Sequence, residues 1–262
     1  MFVYDTQRCQ KEEDDPHEAI LYFHPGWVSD QQRLALCGQL MGTAHFYKTV
    51  FGSPRIIALN SGKFVMRHYG RYILTMGTDR NIPDWVLEHR ADTMNHLIQF
   101  YHKDLETICL SVGSDNLQFT KKLNQMFETY IPILPYAANM FGNIPVIRLP
   151  KSASNIFLEA TQILQSLRIK SGVLGGIVLF QNKVVTSQLS STLTKRLVSS
   201  DPCRIKSPAE PVSLSFHLPV GVQLLQVYVE NKEFYKLQRM SVDTRSFIEN
   251  VVNKKSAQRK EK

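Results

Sequence analysis

Cysteine is scarce in this 262-residue chain. Cys9, Cys37, Cys109 and Cys203 lie far apart and none belongs to a C-x-x-C pair, which excludes the usual zinc and dithiol redox motifs and fits free thiols in a reducing compartment. Long apolar runs are missing too. VLGGIVLF, at residues 173–180, is the longest, far short of the ~20 residues that span a bilayer. The start, MFVYDTQRCQKEEDD, turns acidic before any apolar stretch follows a basic one, so a secretory signal is not expected. These absences predict a cytoplasmic protein.

Catalytic signatures are equally sparse. There is no G-x-S-x-G elbow, and the glycine-rich SGVLGGIV has no following G-K-[ST] to cradle a phosphate. A hydrolase built on Cys37 and His24 would need an exposed thiol within reach of the imidazole. The ordinary reading is that His24-Pro25 ends a strand and Cys37 fills a core. Glu12, Glu13, Asp14 and Asp15 are consecutive in a polar loop and are not expected to converge on a substrate as glycosidase carboxylates do. His89, His96 and His102 are spaced too widely along one helix to share a metal and are expected at its surface or boundary. No catalytic residue, metal site or cofactor is expected. The glycines of SGVLGGIV are expected to let a strand approach the helix before it.

The net charge is +8, but the last nine residues, KKSAQRKEK, carry five Lys or Arg and one Glu. The rest is mildly basic, without the clustered basic and aromatic face of a nucleic-acid reader, so no nucleic-acid partner is expected. Residues 241–262 read as a helical or disordered basic tail, with contact to an anionic membrane surface as the alternative.

What is present is an ordered alternation of short strands and amphipathic helices. MFVYD and AILYFHP read as strands. A helix follows, opened by a capping box of Ser29 and Gln32, with Leu34, Cys37, Met41 and Ala44 on its buried stripe. RIIALN, KFVMRHY and YILTMGTD then form a meander punctuated by Ser61-Gly62 and Gly70-Arg71. PDWVLEHRADTMNHLIQFYHK is helical, with Leu87, Ala91, Met94, Ile98 and Tyr101 in register; ETICLSV reads as a further strand. NLQFTKKLNQMFETYI is helical, with Phe119, Leu123, Met126, Phe127 and Tyr130 on one face.

Prolines accumulate from Pro132 to Pro150, which places a domain boundary there. SASNIFLEATQILQSLRI then reads as a helix with Ile156, Ala160, Ile163, Leu164 and Leu167 on one face. A hairpin turning at Gln181-Asn182 and a helix from SSTLTKRLVSS follow, with VSLSFHL or VQLLQVYVE as the next strand. Strand, strand, helix has occurred before, at residues 2–51. The fold class is therefore α+β: a complete domain over 1–131, a linker and connecting helix over 132–170, and a shortened second copy over 171–240.

LYFHPGWVSDQQRLALCGQLMG, with its aromatic pair, His-Pro strand end and D-Q-Q-x-x-x-L-C-G-Q, resembles the first longin domain of the Hermansky–Pudlak syndrome type-four protein family. ATQILQSLRIKSGVLGGIVLFQNKVVTSQLSSTLTKRLV is similar to that family's entry into its second longin domain. The resemblance implies tandem longin domains, each a five-stranded, mainly antiparallel sheet flanked by helices and three to a subunit; this sequence departs from that plan, reading as one complete domain and one abbreviated one, with no third.

It also implies a subunit of biogenesis-of-lysosome-related-organelles complex three. Such a subunit forms an obligate heterodimer with the type-one Hermansky–Pudlak family subunit and acts as a guanine-nucleotide exchange factor for a Rab GTPase, recruited peripherally to lysosome-related organelle or endosomal membranes. In the family the first longin domains join through the helix after the second strand and the adjacent strand. Carried onto this chain, that places partner contacts at Gln31, Gln32 and Gln39 of the helix and at Ile56, Ile57 and Leu59 of RIIALN. A longin scaffold or adaptor in vesicle trafficking, without exchange activity, is the alternative.

Overall fold

The computed structural model describes residues 1–11, 14–138, 143–199 and 212–243. The chain divides into two compact units, Met1–Asn139 with Lys206–Val227 and Met140–Ile205 with Tyr228–Lys262. Glu12, Glu13, Cys203 and most of the basic tail lie outside the described residues.

In the first unit, β1 (Phe2–Asp5) and β2 (Ile20–Phe23) are antiparallel neighbours. The loop between them holds one short helix, α1 (Pro16–Ala19). After α2 (Asp30–Val50) come β3 (Ile57–Leu59), β4 (Gly62–Tyr69) and β5 (Tyr72–Thr78). The sheet order is β2-β1-β5-β4-β3, antiparallel throughout, so the first hairpin inserts beside the last strand and leaves β2 and β3 as edges. The β4–β5 hairpin turns in two residues, with a positive φ only at Gly70, the pattern of a type II′ turn.

Strand alternation sends Phe2, Tyr4, Phe64 and Met66 toward α2. Val3, Val65, Tyr69, Tyr72 and Leu74 point to the opposite face. There α3 (Asp84–His102) and α5 (Asn116–Tyr130) cover the sheet, each burying every apolar position expected from its sequence period. Tyr72 meets Phe119 at 5.3 Å between ring centres, and Tyr22 meets Phe127 at 4.7 Å. His102 corrects an expectation: it is buried, bonded at 2.6 Å to the Tyr130 hydroxyl, because the last turn of α3 runs under α5.

ETICLSV is a helix rather than a strand. In α4 (Leu105–Ser111) the Asp104 carboxylate accepts from the Thr107 amide at 2.6 Å, and Leu105, Ile108 and Cys109 fall on one buried helical face. α6 (Ile133–Ala138) stands where the linker was expected to begin. Ile133 and Leu134 are buried and the helix packs on α3, so its apolar pair extends the first core past Pro132.

The second unit is smaller. α7 (Ser154–Arg168) precedes the hairpin of β6 (Ile177–Phe180) and β7 (Lys183–Ser187), and α8 (Ser191–Ser199) follows. Gln181 and Asn182 both have positive φ, as a type I′ turn requires. A Cβ on Gly176 would lie 2.7 Å from Leu164 Cδ2, so that glycine does permit the helix to approach the strand. Ala160 and Leu164 are buried apolar positions of α7, and Arg168 is buried at its end, whereas Ile156, Ile163 and Leu167 are exposed, because a two-stranded sheet is too narrow to cover the whole stripe. Neither VSLSFHL nor VQLLQVYVE forms a named strand; residues 231–243 are helical and form α9. The architecture is thus a five-stranded longin-like sheet flanked by helices, followed by an abbreviated second copy.

Candidate functional site

The expected docking elements are α2 and β3, and the fold sets them side by side. Ser29 caps α2 by accepting from the Gln32 amide at 3.4 Å, as the capping-box pattern requires. The Arg33 guanidinium donates to the Gly26 carbonyl and sits 5.5 Å from the Phe23 ring centre, which ties the first turn to the end of β2. The His24–Pro25 bond is cis, and β2 stops at Phe23 just before it.

Cys37 and Leu40 are the fully buried residues of α2, in one cluster with Phe2, Ile57 and Phe64. Leu36, Met41 and Ala44 pack partly against it, and Leu34 is half-buried. Burial pushes the Cys37 thiol up to about 12, against a weaker downward pull from the Met1 amine. At neutral pH it is a protonated core group and cannot serve as a thiolate nucleophile. His24 is exposed, and its pKa is lowered by desolvation and then by the Met1 amine. Among the described residues no group of three or more His, Cys, Asp or Glu is placed to hold a metal.

On the outer side of α2, Gln31, Gln32 and Gln39 are all exposed. Gln32 and Gln39, seven residues apart, lie on one face two turns apart. Gly38 lies nearby, and a Cβ there would meet nothing within 4 Å, so this face is shallow as well as open. The strand residues divide differently. Ile57 is buried, and Leu59 is partly buried against the α2 cluster; Ile56 precedes the strand and is half-buried. The side chains of Ile57 and Leu59 fix the seam between helix and sheet. β3 presents outward its backbone edge, paired on one side only, and the exposed Ala58.

Sequence reasoning missed the C-terminal end of α2. Phe46, Tyr47, Val50 and Phe51 are exposed there, Phe51 to 75%, and Tyr47 lies within 6 Å of both Phe46 and Phe51, ring centre to ring centre. Trp27, at the other end, is 85% exposed. A signal existed: the buried stripe ends at Ala44, yet aromatic residues continue through HFYKTVF without its period. A further 470 Å³ cavity opens beneath this half of the helix, between α2, β1, β4 and the loop after the helix.

Residues 1–103 match the family model described as the first longin domain of INTU, CCZ1 and HPS4. Over 253 residues the chain is 26% identical to the Mus musculus protein named BLOC-3 complex member HPS4. That alignment takes in 92% of this chain and 37% of the mouse protein, so the chain spans well under half the length of the curated relative it matches. The likeness to the family model lies in the residues that form the five-stranded longin-like sheet and the helix after it. No helix among the described residues is long and apolar enough to cross a membrane.

Proposed function

We propose that this chain is one subunit of a heterodimeric guanine-nucleotide exchange factor, acting on a Rab GTPase of lysosome-related organelles. It would work in the cytoplasm, recruited peripherally to those membranes, with a type-one Hermansky–Pudlak family subunit as its partner. The observation that carries the reading is the open outer face of α2 standing beside the one-sided edge of β3. An edge strand supplies a row of backbone donors and acceptors to a second sheet, and adjoining side chains select which sheet. The similarity to a BLOC-3 complex member supports the same choice.

Exchange needs no nucleophile on this chain. A protein that binds the nucleotide-free GTPase more tightly than the loaded form must, by reciprocity, weaken nucleotide binding. Each tenfold acceleration of release requires about 1.4 kcal/mol of preferential stabilisation. A shared surface of two longin domains can supply this through contacts alone.

The test is release of a fluorescent guanine nucleotide from a panel of Rab GTPases, with this chain, with the partner, and with the co-expressed pair. Acceleration by the pair alone supports the proposal. A stable pair that accelerates none, and prefers the GTP form over the form stripped by EDTA, makes the chain a trafficking scaffold or adaptor instead.

A further inference from the structure

α2 has 21 residues and β1 has four. At about 1.5 Å per helical residue and 3.3 Å per strand residue, the helix outruns that strand by well over ten ångströms. Every residue of α2 after Ala44 is exposed. The overhang leaves the 470 Å³ wedge between helix and sheet, a size within the range of small-molecule sites.

The wedge has a one-sided electrostatic character. From residue 31 to residue 78 the sequence contains no Asp or Glu, and among the described residues no carboxylate lines the wedge. Six Lys or Arg lie in that stretch. Arg33 pairs with Asp30, Arg55 with Glu88, Lys63 with Asp84, Arg67 with Asp92 and Arg71 with Asp5. Lys48 is the remaining cation; it forms no ion pair among the described residues, and it lines the wedge with His45 and His68. The floor is apolar, formed by Met41, Met66 and Ile73.

We propose that this wedge binds a small organic anion, its phosphate or carboxylate head held by Lys48, His45 and His68 and its apolar body laid on Met41, Met66 and Ile73. An unpaired cation beside two imidazoles gives the head a charge-assisted hydrogen-bonding set, and the methionines adapt to the shape of the body. His68 already has its pKa lowered by burial and then by Lys48, so a bound anion relieves a repulsion present in the free protein. Tyr4 and Cys9 add a hydroxyl and a thiol to the lining as hydrogen-bonding groups.

The test is NMR on the full chain, following the His45 and His68 ring signals and the Met41 and Met66 methyls, with phenyl phosphate, inorganic phosphate and phenol as probes. Phenyl phosphate should shift all four saturably and raise the His68 pKa. Inorganic phosphate should act on the histidines alone and more weakly, and phenol should do neither. Lys48→Met, at an exposed helix position, should weaken phenyl phosphate at least about tenfold while the rest of the spectrum is preserved. Binding equal in Lys48→Met, or shifts that never saturate, would overturn the proposal. No GTPase is present in this experiment, so it stands or falls separately from nucleotide exchange.

Discussion

Phe64 on β4 occupies the space above Gly77, its cross-strand partner on β5: a Cβ at residue 77 would lie 2.6 Å from Phe64 Cε1. The ring cannot swing aside freely, since it belongs to the cluster that seats Cys37 and Leu40 of α2. The absent side chain therefore helps set how closely the helix approaches the sheet. Gly77→Ala should cost about 1–3 kcal/mol by overpacking, measured by denaturant unfolding. A variant as stable as the parent would show that Phe64 has room to move.

Cys37 gives a second prediction. With its thiol buried and its pKa pushed up to about 12, it should resist alkylation in the native protein and react only on unfolding, whereas the half-buried Cys9 reacts natively. Peptide mapping after timed iodoacetamide treatment decides this, and rapid native labelling of Cys37 would reopen the nucleophile reading. The same shift fixes a sign for pH dependence. Because the folded pKa exceeds the unfolded value near 9, the protonated thiol's contribution is fully present below about pH 9 and is lost as pH rises toward 12. Tyr4, Tyr22 and Tyr72, also raised to about 12 chiefly by burial, act in the same direction. Stability should therefore fall through that alkaline range.

Where a single element buries a full stripe, the sequence alone was enough: Phe119, Leu123, Met126, Phe127 and Tyr130 recur at helical spacing because α5 lies flat on the sheet. ETICLSV misled because seven mostly apolar residues satisfy a buried strand and a buried helix equally, and the deciding feature was the Asp104 cap just before it. Ile156, Ile163 and Leu167 misled for another reason. Periodicity names the apolar face of α7, but the width of the sheet beneath decides how much of it is covered. At the proposed docking face, the exposure of the glutamines was legible from the helical period. The inward aim of Ile57 was not, because a three-residue strand is too short for alternation to fix its register.

The proposed pairing face can be tested without disturbing the core. Gln31 and Gln39 are exposed on α2, and Ala58 is exposed on β3. Gln31→Glu with Gln39→Glu, or Ala58→Lys as a charged block on the edge strand, should weaken assembly with the partner subunit about tenfold or more. Unfolding free energy should stay within about 0.5 kcal/mol of the parent for each surface change. Titration by fluorescence anisotropy measures the first and denaturant unfolding the second. Unchanged affinity in both variants would move the interface elsewhere.

The aromatic end of α2 bears on how the chain behaves alone. Phe46, Tyr47 and Phe51 form a contiguous exposed cluster at the C-terminal end of the helix, and a patch of that kind drives association when no partner covers it. The isolated chain should therefore self-associate with rising concentration in sedimentation velocity, and the co-expressed pair should not. Phe46→Ser with Phe51→Ser should reduce that self-association and leave unfolding nearly unchanged, because both rings are already more than half exposed. If the parent chain stays monodisperse at high concentration, the patch is not an uncovered interface. If instead the double variant stays as aggregated as the parent, the exposed face of α7, with Ile156, Phe157 and Ile163, becomes the next surface to alter.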